Sequence, residues 1–265
     1  MSARICSLRS GSSGNAVFVE SGDTALLVDA GVNGITVARA LSDLDFDPCR
    51  LSGMLITHEH SDHISGVGVL ARRYRLPIYV NMETYLAMYD QIGKIDPDLV
   101  NIIVPEQEYV LGDLAFSCFD ISHDTVRPVG FRIKTDSGDV SVCTDTGIVT
   151  DQLLASLDGS KAIFIEANYD DDMLQTGSYP YFLKRRISGE RGHLSNSDSA
   201  EVIRRLIHSG TEHFVLSHLS KDNNMPELAT LTVRQHLQQD GISYDKDAAI
   251  SVAARYSTSM PICLA

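Results

Sequence analysis

Six consecutive residues, His58-Glu59-His60-Ser61-Asp62-His63, put four metal-binding side chains within about one turn's length of chain, directly after the apolar run Met54-Leu55-Ile56-Thr57. Imidazole nitrogens and carboxylate oxygens suit Zn²⁺, Mn²⁺ or Fe²⁺, and ligand pairs this close can face two ions a few ångströms apart. The segment cannot fill two coordination spheres alone. The chain must therefore fold so that further His and Asp residues, each ending an apolar run, meet the hexapeptide. Three residues answer that demand: His123 after the strand-like run 114–121, Asp145 after 140–144, and His218 after 213–217. In α/β folds, strand ends on one edge of a sheet converge on a common cleft, however distant in sequence.

The rest of the chain alternates strand-like and helix-like segments, with no internal repeat or low-complexity tract. Residues 15–20 and 24–29 read as paired strands around Ser21-Gly22-Asp23, and 131–135 with 140–144 flank a second turn signal, Asp136-Ser137-Gly138-Asp139. A helix is expected over 35–44, with Ile35, Ala38 and Leu41 on one face. A short apolar strand covers 162–167, and amphipathic helices cover 196–209 and 226–239, with Pro226 near the start of the second. At 265 residues with no Pro/Gly/Ser-rich linker, the expectation is one α/β domain, 1–265.

The net charge of −13, from 22 Lys and Arg against 35 Asp and Glu, argues against broad adhesion to nucleic acid or anionic membrane. A nuclease remains compatible, because bound dications and a local basic cluster can grip phosphate. Nowhere do about 18 apolar residues run together, and residues 1–9 lack the apolar core of a signal peptide, so a cytoplasmic protein without a membrane span is expected. The five cysteines are scattered and odd in number, which indicates neither a disulfide framework nor a thiolate zinc site. His208, His213 and His236 read as surface or capping residues.

The run T-H-E-H-S-D-H, Asp29 in L-L-V-D-A-G, and the separate His123, Asp145 and His218, in that order, resemble the signature of the metallo-β-lactamase-fold hydrolases. The resemblance spans nearly the whole chain. It implies a four-layer αβ/βα sandwich, an architecture that periodicity alone does not separate from a doubly wound fold. It also implies two divalent ions: His58, His60 and His123 at one, Asp62, His63 and His218 at the other, and Asp145 bridging both. Asp29 would orient the histidine loop from behind. Zn²⁺ and Mn²⁺ both suit this set. Iron suits it less, because a diiron oxidoreductase on this fold is expected to carry a carboxylate where His60 stands, and no flavin-binding domain follows. Two adjacent dications lower the pKa of a shared water from about 15.7 to roughly 7, which makes hydrolysis the default chemistry.

The bond attacked must be read from other residues. Gly192-His193-Leu194-Ser195-Asn196 and Glu166-Ala167-Asn168-Tyr169 are similar to motifs of phosphodiesterase members such as ribonuclease Z. In that resemblance His193 assists the leaving oxygen and Glu166 orients it; a departing alkoxide needs a proton, so a histidine not consumed by metal is apt. The alternative is that this segment simply caps the helix after Ser195. Tyr179-Pro180-Tyr181-Phe182-Leu183-Lys184-Arg185-Arg186, continued by Arg191, offers rings for base stacking and cations for phosphate. An ordinary amphipathic helix with its aromatic side in the core is the competing reading. Arg72, Arg73 and Arg75 read as a helix exterior. Together with S-G-S-S-G-N over 10–15 and H-L-S-x-x-N-N over 218–224, these motifs resemble the YycJ/WalJ branch of the fold, bacterial single-domain proteins regarded as 5′-to-3′ DNA exonucleases. By that analogy Ser10, Ser12, Asn15, Asn223 and Asn224 line the substrate side, and DNA-repair partners are implied by the family alone. The expected activity is a metal-dependent phosphodiesterase, a DNA exonuclease in which a hydroxide held between the ions attacks phosphorus and Asp62 accepts or steers the proton. The rivals are hydrolysis of a small phosphodiester, thioester or lactone, and a non-catalytic metal-binding regulatory module.

Overall fold

The computed structural model describes residues 2–242 and 247–265. Its first half carries strands β1 (Ala3–Arg9), β2 (Ala16–Ser21), β3 (Thr24–Val28), β4 (Gly53–Leu55), β5 (Ile78–Val80) and β6 (Val100–Ile102), with helices α1 (Gly34–Ser42), α2 (Ser61–Ile64), α3 (Val67–Tyr74) and α4 (Met82–Ile92) between them. Its second half carries β7 (Tyr109–Leu111), β8 (Leu114–Asp120), β9 (Val129–Thr135), β10 (Gly138–Cys143), β11 (Ala162–Glu166), β12 (His213–Ser217) and β13 (Ala249–Val252). The helices there are α5 (Asp151–Leu157), α6 (Asp171–Thr176), α7 (Tyr181–Ile187), α8 (Asn196–Leu206) and α9 (Pro226–Gln239), and a last strand, β14 (Ile262–Leu264), follows.

Two seven-stranded sheets result, ordered β14-β1-β2-β3-β4-β5-β6 and β13-β12-β11-β10-β9-β8-β7. β14 returns to pair antiparallel with β1, Ala3 opposite Leu264. The period-two alternation of strands explains how the sheets become the middle two of four layers. On β3, Leu26 and Val28 face the other sheet, where Phe116, Phe131, Ile133 and Phe164 meet them. Its Ala25 and Leu27 turn outward onto Val37 and Leu41 of α1 and Val67 and Leu70 of α3. On β11, Ala162 and Phe164 point inward while Ile163 and Ile165 pack under α5, α8 and α9. Both faces of each sheet are thereby apolar and covered, giving the αβ/βα sandwich; each fully buried Leu or Phe contributes on the order of 2 kcal/mol.

The expected elements are present with ends shifted by one to three residues. The hairpins β2–β3 and β9–β10 form as the turn signals require, with Ser21 opposite Thr24 and Thr135 opposite Gly138. The helix expected to reach Leu44 stops at Ser42, and the one expected to reach Ser209 stops at Leu206. Arg72 and Arg73 lie on α3, whose C-cap Arg75 is left-handed, and Arg75 pairs with Asp96, so this cluster is a helix exterior. Among the described residues no helix is long and apolar enough to cross a membrane.

Candidate active site

Parallel strand ends bring the predicted residues to one edge of the sandwich. β3 delivers Asp29, β4 delivers the hexapeptide, β8 His123, β10 Asp145, β11 Glu166 and β12 His218. The hexapeptide straddles a helix start: His58, Glu59 and His60 precede α2, while Asp62 and His63 lie in its first turn. Gly31 permits this loop to be clamped, because a Cβ there would fall 1.6 Å from the Asp62 carbonyl oxygen. The close approach lets Asn15 N–H donate to Asp62 O (2.8 Å) and Ala30 N–H to His63 O (2.9 Å). Three residues just past strand ends, Asp29 (φ 61°), Asp145 (φ 62°) and His218 (φ 54°), hold left-handed backbone. Each such conformation costs about 1–3 kcal/mol for a non-glycine residue and survives only where surrounding contacts over-determine it.

The donor atoms fall into four overlapping groups, one of them Asp145, Glu166, His193 and His218. Ligand atoms of His58, His60 and His123 lie within 4.8 Å of one another, as do those of Asp62, His63 and His218, and Asp145 joins His58 and His63 in a third such group. His60 Nδ1 is 3.2 Å from His123 Nε2, His63 Nε2 is 3.0 Å from Asp145 Oδ2, and His218 Nε2 is 3.4 Å from Asp62 Oδ2. The outward nitrogens are tied to protein: His58 Nδ1 to Thr57 Oγ1 (2.9 Å), His63 Nδ1 to Asp29 Oδ2 (2.7 Å), and His123 Nδ1 to the Gly192 carbonyl (3.0 Å). This leaves each Nε2 facing inward, the arrangement that orients ligating imidazoles.

Burial and charge test whether cations fit. His58 Nε2 is buried without a hydrogen-bond partner, an arrangement that is costly unless something else meets it, and Asp145 Oδ2 and His218 Nε2 face His63 and Asp62, other members of the donor groups. Burial, then His63, pushes the His58 imidazole well below its ordinary range, which keeps its lone pair free. Burial would raise the Asp145 carboxyl, yet the charges of His218 and His63 hold it well below the carboxylate range. Burial likewise opposes charge on His63, but Asp145 and Asp29 raise it to about 10. These carboxylates draw positive charge into the pocket. The fold and the donor set together imply divalent metal ions, and the residues present fit them.

Glu166 and His193 form a second unit beside the donors. Glu166 is fully buried and accepts from His193 Nδ1 (2.7 Å), His218 Nδ1 (3.0 Å) and Thr146 N–H (2.9 Å). Burial lowers the His193 pKa, but the charge of Glu166 and its hydrogen bond raise it above the ordinary value. The helix-capping alternative is also realised: Ser195 N-caps α8 in a capping box with Asp198, two residues beyond His193. His193 nevertheless lines a cleft of about 250 Å³ with His60, Asp62, His123, Asp145 and His218.

Residues beyond the donors divide differently from expectation. Ser12 and Arg186 line the cleft, with Tyr179 and Ser220. Ser10, Asn15, Asn223 and Asn224 were expected on its substrate side; none of the four lines this cleft, and all are buried and bonded within the framework. Ser10 Oγ accepts from His218 N–H (2.7 Å), Asn15 Nδ2 lies 3.0 Å from His63 Nε2, the Asn223 carbonyl accepts from Asp170 N–H (2.8 Å), and Asn224 exchanges hydrogen bonds with Asn196. On α7 the aromatic side is not core: Tyr181 and Phe182 are 73% and 74% exposed, while Ile187 is buried. Arg185 lies over the Tyr181 ring at 5.9 Å, and Lys184 Nζ donates to the Gln175 carbonyl (2.7 Å). His208 is exposed, and His213 opens β12.

One site residue escaped sequence reasoning. Asp124 Oδ1 is 3.5 Å from His123 Nε2 and 3.9 Å from His60 Nε2, and its Oδ2 takes Arg186 Nε at 2.5 Å. Burial raises its carboxyl, but Arg186, His123 and His60 bring the net value below the ordinary one. Its place immediately after His123 was the only available signal.

With this geometry, a family model described as a beta-lactamase superfamily domain matches residues 24–219. The chain belongs to the metallo-β-lactamase superfamily. Within it, the chain belongs with the WalJ/YycJ proteins: it is 40% identical over 242 residues to the exodeoxyribonuclease WalJ of Streptococcus pneumoniae, covering 91% of this chain and 90% of that one. It is also 40% identical over 234 residues to the exodeoxyribonuclease YycJ of Bacillus anthracis, covering 88% and 89%. Among solved structures, the metallo-β-lactamase fold protein YhfI of Bacillus subtilis superposes with a TM-score of 0.75 at 16% identity, over 99% of this chain and 100% of that one, a likeness of fold.

Proposed function

We propose that this chain, a single domain, is a metal-dependent phosphodiesterase that removes nucleotides from DNA ends in the 5′-to-3′ direction, in the cytoplasm. The observation that carries the reading is the buried Glu166 carboxylate joining His193, which the proposed ligand assignment leaves unused, to the donor His218 at the wall of the cleft. A lactam, thioester or lactone hydrolase has less use for that second histidine; a departing sugar oxygen needs the proton it holds. The 40% identity to two exodeoxyribonucleases supports the same substrate class.

In this reading His58, His60 and His123 would hold one ion and Asp62, His63 and His218 the other, with Asp145 available to either. Zn²⁺ or Mn²⁺, when bound, would lower the pKa of a water toward neutrality and polarise the phosphorus–oxygen bond. Asp62 takes or steers the proton of the attacking water. His193, kept protonated by Glu166, donates from Nε2 to the leaving oxygen. Arg186 and Ser12 meet the phosphate at the cleft, and Tyr181, Phe182, Lys184 and Arg185 of α7 receive the neighbouring strand by stacking and charge.

Purified protein loaded with Zn²⁺ or Mn²⁺ and given end-labelled duplex DNA, single-stranded DNA and bis(p-nitrophenyl) phosphate tests this. Release of nucleotides from a DNA end is expected. Hydrolysis of the small diester with intact DNA would overturn the exonuclease assignment, and no phosphodiester cleavage with either metal would overturn the class.

A further inference from the structure

Behind the 218–224 loop lies a second cavity of about 270 Å³, separate from the catalytic cleft but sharing a wall with it. Ser220 lines both spaces, and the 10–15 loop serves both as well, with Ser12 at the cleft and Ser10 at the second cavity. Leu219, Pro226 and Val252 give the second cavity apolar lining, and Asn224, Lys221, Arg255 and Tyr256 add polar groups to it. Tyr256 is 66% exposed, so its ring is open to a ligand in this cavity. The Arg255 guanidinium stands near this ring, 5.9 Å from its centroid, and donates one N–H to the Leu219 carbonyl. Gly11 makes room for it: a Cβ there would lie 2.7 Å from Arg255 Nη1, and its φ of +115° favours glycine. Among the described residues neither Lys221 nor Arg255 has a carboxylate in ion-pair contact, in a chain of net charge −13.

We infer that this cavity is a nucleotide subsite, holding the DNA unit next to the one being cleaved, with its base against Tyr256 and its phosphate between Lys221 and Arg255. An aromatic face, hydroxyls and two cations with no ion-paired carboxylate among the described residues, around a space of this size, match the chemistry of a single nucleotide, and a duplex is too wide for it. The shared wall at Ser220 puts the subsite along the path of a strand whose scissile phosphate occupies the cleft. The strand would then cross the site from the α7 platform, through the cleft, to Tyr256. This inference rests on the phosphodiesterase reading for its substrate class.

The test reads binding and cleavage separately. A single-stranded phosphorothioate oligonucleotide, resistant to hydrolysis and labelled at its 3′ end, is titrated by fluorescence anisotropy against the metal-loaded protein. Lys221→Ala and Tyr256→Ala, both at exposed positions, are each expected to raise Kd about five- to tenfold. Lys221→Ala alone should make the slope of log Kd against log salt shallower by about 0.7, the signature of one lost phosphate contact on a single strand. Turnover of bis(p-nitrophenyl) phosphate, too small to reach both spaces, should stay within about twofold of wild type. A loss of affinity confined to 5′-phosphorylated strands identifies a terminal phosphate as the ligand; an equal loss with 5′-hydroxyl strands identifies an internal phosphodiester. Unchanged Kd and salt slope in both variants would overturn the subsite. A wild-type protein that binds the strand but cleaves no phosphodiester would instead overturn the catalytic reading, with the subsite still measured.

Discussion

Replacing Asp29 by asparagine (Asp29→Asn) removes one charge and exchanges one oxygen for an amide, at a side chain that touches no proposed metal. Asp29 is buried, and its Oδ1 accepts from Thr57 N–H (2.9 Å) while its Oδ2 accepts from Thr57 Oγ1 (2.7 Å) and faces His63 Nδ1 (2.7 Å). Whichever way the new amide turns, its NH₂ meets a donor: the Thr57 N–H in one orientation, the His63 Nδ1–H in the other. The second orientation can be relieved only if His63 moves its proton to Nε2, the nitrogen 3.0 Å from Asp145 Oδ2 that the proposed ion needs as a lone pair. Losing a charge-assisted hydrogen bond and leaving a buried donor unmet costs about 2–4 kcal/mol, or a fall in Tm of roughly 5–15 °C for a chain of this size. Loss of the carboxylate behind a ligating imidazole lowers metal affinity about 10- to 100-fold. Calorimetry of the metal-free protein reads the first effect, and competition for Zn²⁺ against a chelator of known affinity reads the second. A variant with wild-type Tm and both ions held at wild-type affinity would refute the claim that Asp29 sets the tautomer and position of His63.

Further outcomes follow from the same geometry. His193→Ala should lower kcat about 10²- to 10⁴-fold while metal content by mass spectrometry stays that of wild type; loss of the ions would show that His193 is a ligand. Phe182→Ala and Arg185→Ala, both on the exposed face of α7, should each weaken single-stranded DNA binding several-fold with Tm shifted by no more than about 2 °C, and unaltered affinity in both would remove α7 from the DNA path. On α8, the Arg204 hydrogen bond, helped by Arg205, draws the Glu201 carboxyl from 4.5 down to about 2. A depressed folded-state pKa stabilises above the unfolded value and is lost as pH falls toward the folded one. Wild type should therefore exceed Glu201→Gln by up to about 1 kcal/mol near neutrality, allowing for solvent screening, with the gap closing between pH 4.5 and 2. Denaturation curves of the pair across that range decide it.

Much of the fold was legible because its signals are local. The β2–β3 and β9–β10 hairpins announce themselves in their turn residues, and the alternation Ala25-Leu26-Leu27-Val28 already contains the two packing faces. Helix ends were less legible, since α1 and α8 stop where tertiary contacts and caps stop them. The donor residues could be picked out because metal ligands are few residue types at strand ends. Arg186 reads in the sequence as a phosphate contact, but that Asp124 holds it is not visible there, because the two meet only when α7 folds against the loop after β8. The motif residue Asn15 shows the reverse: its polarity suggested substrate, yet its partner His63 is a protein group.

The order of residues by itself determined which atoms are able to ligate a cation and on which strand ends they stand, because ligand chemistry and strand periodicity are properties of a short stretch of chain. Tertiary structure alone decided which polar side chains look into open space and which brace the loops. Burial and hydrogen-bond partnership depend on segments far apart in sequence: the β12 end against the 10–15 loop, α7 against the loop after β8, and Arg255 against Gly11.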